Sequence, residues 1–140
     1  MSRHADDGST IPLILGFFLV ALIVVAGSVA AGDTFVQQRN LQSVCDGAAV
    51  AAAASAVDLN RTTGQADHLL AFAGAQEAVE RYLSRDPSRA SVRVAASLSP
   101  DSRTLTLSCA QTAPIAFGSF FGYSAGVHHT ATSSAKAPTR

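Results

Sequence analysis

The chain has 140 residues, with ten Lys or Arg against ten Asp or Glu, so its net charge is zero. That balance excludes a basic stripe for nucleic acid and an acidic solvating tail. One long apolar segment leaves about a hundred residues for a single small domain, and with no Trp its thin core calls for a staple or for neighbours.

Ile11 to Gly32, IPLILGFFLVALIVVAGSVAAG, carries no charge. As a helix rising about 1.5 Å per residue it reaches roughly 33 Å, enough to cross the hydrocarbon core of a bilayer. Pro12 falls in the first turn, where its missing N–H costs nothing, and Ser9 or Thr10 can cap. The expectation is a membrane tether near the N-terminus, with residues 33–136 working on one side. The segment is longer than the apolar core of a cleaved secretory signal, and Arg3 and His4 are offset by Asp6 and Asp7. Small residues at Ser28-Val29-Ala30 still leave cleavage near Ala30 as the alternative. That cleavage would release a small binding protein to the medium or the cell surface. Gly27 and Ala31 have the small-xxx-small spacing that lets a second membrane helix approach closely, although Gly and Ala are also ordinary filler there. Arg3 and Arg39 flank the span almost evenly, so charge alone does not orient it.

The helical pattern continues beyond Gly32. Asp33 to Val57 has no Pro and is rich in Ala, the best helix former. Phe35, Leu41, Val44, Cys45, Ala48, Ala49 and Ala52 form an apolar stripe at helical spacing. One helix from about Ile11 to Val57 is expected, with Gly47 as its weak point. The Ala-rich part lacks bulk, so a sheet or helix can sit close to it. Asp58 to Gly64 reads as a polar break. A second, amphipathic helix follows from about Ala66 to Ser84, with Leu69, Phe72, Val79, Tyr82 and Leu83 on one face and Gln76 intruding. Asp86-Pro87-Ser88 stops it.

The period then changes to two. Val92, Val94, Ala96 and Leu98 alternate with small or polar residues, as do Leu105, Leu107 and Cys109 after the turn Ser99 to Ser102. This is a hairpin with one apolar face. Val127 to Ala135 adds a third strand after an aromatic, Gly-punctuated connection from Ile115 to Tyr123, and the tail 137–140 is expected to fray. The fold class is α+β: a long N-terminal transmembrane helix extending outward, a second amphipathic helix, and a small antiparallel sheet of about three strands packed on the first helix.

Cys45 lies on the stripe of the long helix and Cys109 on the apolar face of the hairpin. If those faces pack, the thiols meet. A bridge closing about 65 residues contributes roughly 4 kcal/mol in the chain-entropy estimate and places the domain outside the cytosol. Two buried free thiols are the alternative. No CxxC or ligand-spaced His supports zinc, and His128 and His129 point to opposite faces of a strand. Asp46 fits a solvated edge position better than a functional carboxylate. Asn60-Arg61-Thr62 matches a glycosylation acceptor triplet, which is common by chance. No phosphate loop or nucleophile–base–orienter set is legible. The expectation is therefore a non-enzyme without cofactor, metal or small-molecule substrate. Of the connection, Phe117, Phe120, Phe121 and Tyr123 are the candidate partner surface, because a thin sheet does not easily bury four rings. The same rings could instead close the open edge of the core.

Two stretches carry a family resemblance. Asp7-Gly8-Ser9-Thr10-Ile11-Pro12-Leu13 resembles the "RGSVTPL" start of TadE/TadG-like proteins, components of the Tad (Flp, type IVb) pilus machinery. Arg39 to Ala53, RNLQSVCDGAAVAAA, is similar to that family's "R-x-L-Q-x-A-A-D-A-A-A-L-A-A-A". The resemblance covers about the first 57 residues. It implies a type IV pilin-like layout with residues 1–10 in the cytoplasm, 11–32 in the cytoplasmic membrane and 33–136 as an extracytoplasmic α+β domain. It further implies membrane lipid and other pilin-like or Tad apparatus proteins as partners, with the chain at a pilus or cell surface. Gly8 and Ser9 would be the processing site. Leu13 would then hold the fifth mature position, where pilin precursors carry Glu, and the span contains no Glu. This departure puts processing in doubt and fits TadG-like members better, since they often lack that Glu.

Overall fold

The computed structural model describes residues 10–63, 68–100 and 104–136, with side chains described outside 56–72. Helix α1 runs Thr10–Thr63, α2 runs His68–Ser84, and a 3-10 turn at Pro87–Arg89 leads into strands β1 (Arg93–Leu98), β2 (Thr104–Ala113) and β3 (Val127–Lys136). The class is α+β.

At about 1.5 Å per residue, the 54 residues of α1 extend roughly 80 Å. Nothing between Pro12 and Thr63 interrupts the hydrogen-bond ladder, because the stretch holds no further Pro and the Ala-rich segment favours helix. The helix passes through the expected break at Asp58 and ends at Thr63. Polar composition alone does not stop a helix.

From Thr10 to Val29 almost every side chain is exposed. The stretch is long and apolar enough to cross a membrane, and the rest of the chain does not cover it. Ser28 donates its hydroxyl proton to the carbonyl of Val24 (2.8 Å) and Thr34 to that of Ala30 (2.9 Å). Both hydroxyls are thus satisfied within the helix.

From Ala30 onward α1 carries a domain. The sheet is antiparallel in the order β1-β2-β3. In the central strand, Cys109 lies between Val94 and Ala131, and Leu107 between Ala96 and Ser133. The core joins Leu41, Cys45, Ala48, Ala49 and Ala52 of α1 to Ala75 and Val79 of α2 and to Val92, Leu107, Cys109 and Ala131. Five positions of the expected stripe are therefore buried, but Phe35 is not: it is exposed, with the Arg39 guanidinium 5.0 Å above its ring. Ala30, nearer the N-terminus, is already buried, whereas Phe35 lies about 120° around the helix from Leu41 and so on another face.

Helix α2 docks through Ala75, Val79 and Tyr82, and Gln76 is exposed rather than intruding on that face. The Tyr82 ring settles over Gly47, where a β-carbon would collide with its hydroxyl and ring. Gly47 is thus a seat for α2 and not merely a weak point. On its other side Tyr82 meets the Arg89 guanidinium, 4.3 Å from the ring centre.

Candidate functional site: the helix seam and the aromatic connection

Three features define the outer half of the molecule. The first is the bond between Cys45 and Cys109, with sulfurs 2.08 Å and Cα atoms 5.9 Å apart. It ties α1 to the central strand through two of the most buried side chains in the domain. Since the chain has two cysteines, neither is free.

The second is a polar seam along the sheet edge. Gln38 donates from Nε2 to the carbonyl of Thr130 (2.7 Å), and Gln42 donates to that of Thr132 (3.3 Å). A helical i, i+4 step advances about 6 Å and a strand i, i+2 step about 6.6 Å, so alternate carbonyls of β3 keep pace with successive turns of α1. Gln38 also accepts at Oε1 from His129 Nδ1 (3.1 Å), an assignment that puts the ring proton on Nδ1. His129 is buried while His128 is exposed, and its Nε2 meets no hydrogen-bond partner among the described residues. The seam bonds β3, one of the two edge strands, to the helix and so blunts that edge against strand addition. Sequence reasoning missed these glutamines. Their i, i+4 spacing was the available signal.

The third is the connection between β2 and β3, drawn down onto α1. Gln37 donates to the carbonyl of Pro114 (2.8 Å), and the Ala116 N–H donates to Asp33 Oδ2 (2.9 Å). The segment then folds back on itself, with Tyr123 N–H bonded to the Gly118 carbonyl (2.7 Å). A β-carbon at Gly118 would press on the Tyr123 carbonyl, and Gly126 takes a φ of +88° hard against the Ala113 carbonyl, so glycine is required at both. Phe121 packs edge-on against Phe120, ring centres 5.3 Å apart. Phe121 and Tyr123, with Ile115 and Val127, face Gly27, Ala30, Ala31 and Thr34 across an open groove of about 440 Å³. Gly27 and Ala31 therefore stand beside the chain's own aromatic segment. Of the four rings singled out from sequence, Phe117, Phe120 and Tyr123 are exposed and Phe121 is half-buried. Asp46 is exposed and receives a hydrogen bond from Gln42 (3.0 Å).

No group of three or more metal-ligating side chains occurs among the described residues. Gly8, Ser9 and the tail 137–140 lie outside the described residues, as do the side chains of Asn60-Arg61-Thr62, Leu69 and Phe72.

Fold and seam together define a small α+β domain carried on the C-terminal half of a long helix whose N-terminal half is bare and apolar. A family model described as putative Flp pilus-assembly TadE/G-like matches residues 8–55 of the chain. No curated protein matches, and no solved structure matches. The family match points to Flp/Tad pilus assembly and leaves TadE and TadG undistinguished. It ends within α1, before α2 and the sheet begin.

Proposed function

We propose that the chain is a membrane-anchored, pilin-like structural or assembly component of a Tad/Flp-type pilus or a related secretion apparatus, nearer to TadG-like than to TadE-like members. In this reading residues 11–32 make a single pass through the cytoplasmic membrane, residues 1–10 stay inside, and 33–136 form the extracytoplasmic domain ahead of the tail 137–140. It works by protein–protein contacts without catalysis. Gly27 and Ala31 are the places where a second membrane helix can close on α1. The observation that carries the reading is the position of the family match, which spans both the bare half of α1 and its packed half. A disulfide-tied domain supports an oxidising compartment and therefore the outward orientation.

The test is recovery from the native host. Membrane pellets washed with alkali should retain the chain, and mild crosslinking should join it to other Tad apparatus proteins. A soluble chain in the medium beginning near Gly32 would contradict the anchor and favour a secreted binding protein.

A further inference from the structure

We propose that the connection between β2 and β3 is a second membrane contact: Phe117, Phe120 and Tyr123 enter the headgroup–acyl boundary of the outer leaflet beside α1. The inference rests on the anchoring of α1 proposed above and adds to it a lipid-facing site in the domain.

Depth is the first argument. Asp33 is the first charged residue after the apolar stretch, so it marks where the hydrocarbon ends. The connection is bonded to that marker through the Ala116 N–H. From there Phe121 and Tyr123 line an open groove together with Gly27, which lies six residues deeper and so roughly 9 Å along the helix axis. Interfacial elements bury their apolar side about 5–10 Å into the same boundary.

Composition is the second. Pro114 to Gly126 holds no charged residue. The other sequence connections are of another kind, with Arg85, Asp86 and Arg89 between α2 and β1, and Asp101 and Arg103 between β1 and β2. The segment bonded to Asp33 is thus itself free of charge. Phe and Tyr suit that level, where one part of the ring is apolar and the other wet.

The third argument is what the rings do not do for the fold. Phe120 is 71% exposed, Tyr123 56% and Phe117 55%. Phe117 also holds a φ of +59°, a left-handed conformation that a bulky side chain disfavours. A ring kept exposed on unfavourable backbone gains little from the core. Phe35, exposed one turn below Arg39, extends the apolar level around the helix.

The chain has no Trp, so one introduced Trp reports its own surroundings. The full chain would be reconstituted in phosphatidylcholine vesicles whose acyl chains carry bromine either high or deep. Three variants are compared: Phe120→Trp, Leu22→Trp in the span, and Ser97→Trp at the far end of the sheet. The expected result is loss of Phe120→Trp emission with high bromine more than with deep, the reverse order for Leu22→Trp, and no loss for Ser97→Trp. Phe117→Trp repeats the measurement should Phe120→Trp perturb the fold, as checked by circular dichroism. Quenching of Leu22→Trp with Phe120→Trp and Phe117→Trp left at full brightness overturns the proposal and leaves the anchor standing; the rings would then face water or a protein. An unquenched Leu22→Trp overturns the anchor, and this proposal with it.

Discussion

The two halves of α1 invert the usual rule of burial. Between Ile11 and Val29 the helix displays Leu, Ile, Val and Phe, and Phe17 is 77% exposed. Between Leu41 and Ala52 it buries mostly alanine, with Ala48 and Ala52 at 0%. Large apolar side chains left bare imply a solvent that welcomes them. Small ones buried imply a neighbour that needs to come close. On the proposed anchoring, the same backbone geometry serves two environments, and side-chain volume decides which: bulk meets lipid, and its absence admits a sheet and a second helix.

The largest effect should come from cutting the packed half loose. Replacing Cys45 and Cys109 together by Ala, or reducing the bond, should lower stability by about 4 kcal/mol through restored chain entropy. Urea titration of the reconstituted protein with and without reductant checks this; an unchanged midpoint would show that helix and sheet hold without the tie. In the bare half, Leu22→Arg should cost about 3 kcal/mol of membrane insertion while leaving the sheet folded. Carbonate extraction, read beside circular dichroism, separates those outcomes.

A matched pair sharpens the contrast. Ala48→Leu should destabilise by about 1–3 kcal/mol, because the added side-chain carbons have nowhere to go between α1 and the sheet. Ala21→Leu, the same change on the exposed apolar half, should leave the urea midpoint where it was. Equal effects at the two sites would remove the distinction.

Removing a glutamine tests the seam. Gln38→Ala deletes the bond to Thr130 and takes from Nδ1 of buried His129 its partner, at a cost of about 1–3 kcal/mol. Faster amide exchange along β3 than along β1 would place the loss at the seam.

The smallest effect lies outside both halves. Asp86 accepts from the Ser88 hydroxyl (2.8 Å) and the Ser88 N–H (2.9 Å) and sits near Arg89, so its carboxyl lies below its ordinary range. Because the folded state favours the charged form, the cap is fully present above the unfolded carboxyl's range and is lost as pH falls through the lowered value. The Ser88 amide signal should titrate in acid, and Asp86→Asn should abolish that titration.

Elements whose period sits in one segment could be read before the structure was known. The long helix followed from charge-free length and alanine content, and the sheet from alternation around Val94 and Leu107. The meeting of Cys45 with Cys109 followed from two apolar faces that had to find each other. What could not be read depends on which partner lies opposite. Gln38 and Gln42 look like a solvated helix face until β3 lies alongside with its carbonyls at matching intervals. Gly47 looks like a defect until Tyr82 covers it. Phe35 is apolar like the stripe, yet it lies on another face of the helix from Ala30 and Leu41. The level of the aromatic connection depends on hydrogen bonds from Ala116 to Asp33 and from Gln37 to Pro114, between residues remote in sequence.

The most direct test of the two environments uses the absence of a free thiol. With both native cysteines paired, an added cysteine is the one site for a spin label. Leu22 and Val50 are both apolar and both exposed on α1. Labels at Leu22→Cys and Val50→Cys, in the full chain reconstituted in lipid, would be compared for collision with oxygen and with a polar nickel chelate. The account predicts that oxygen dominates at position 22 and nickel at position 50. Equal accessibility at the two positions would contradict it.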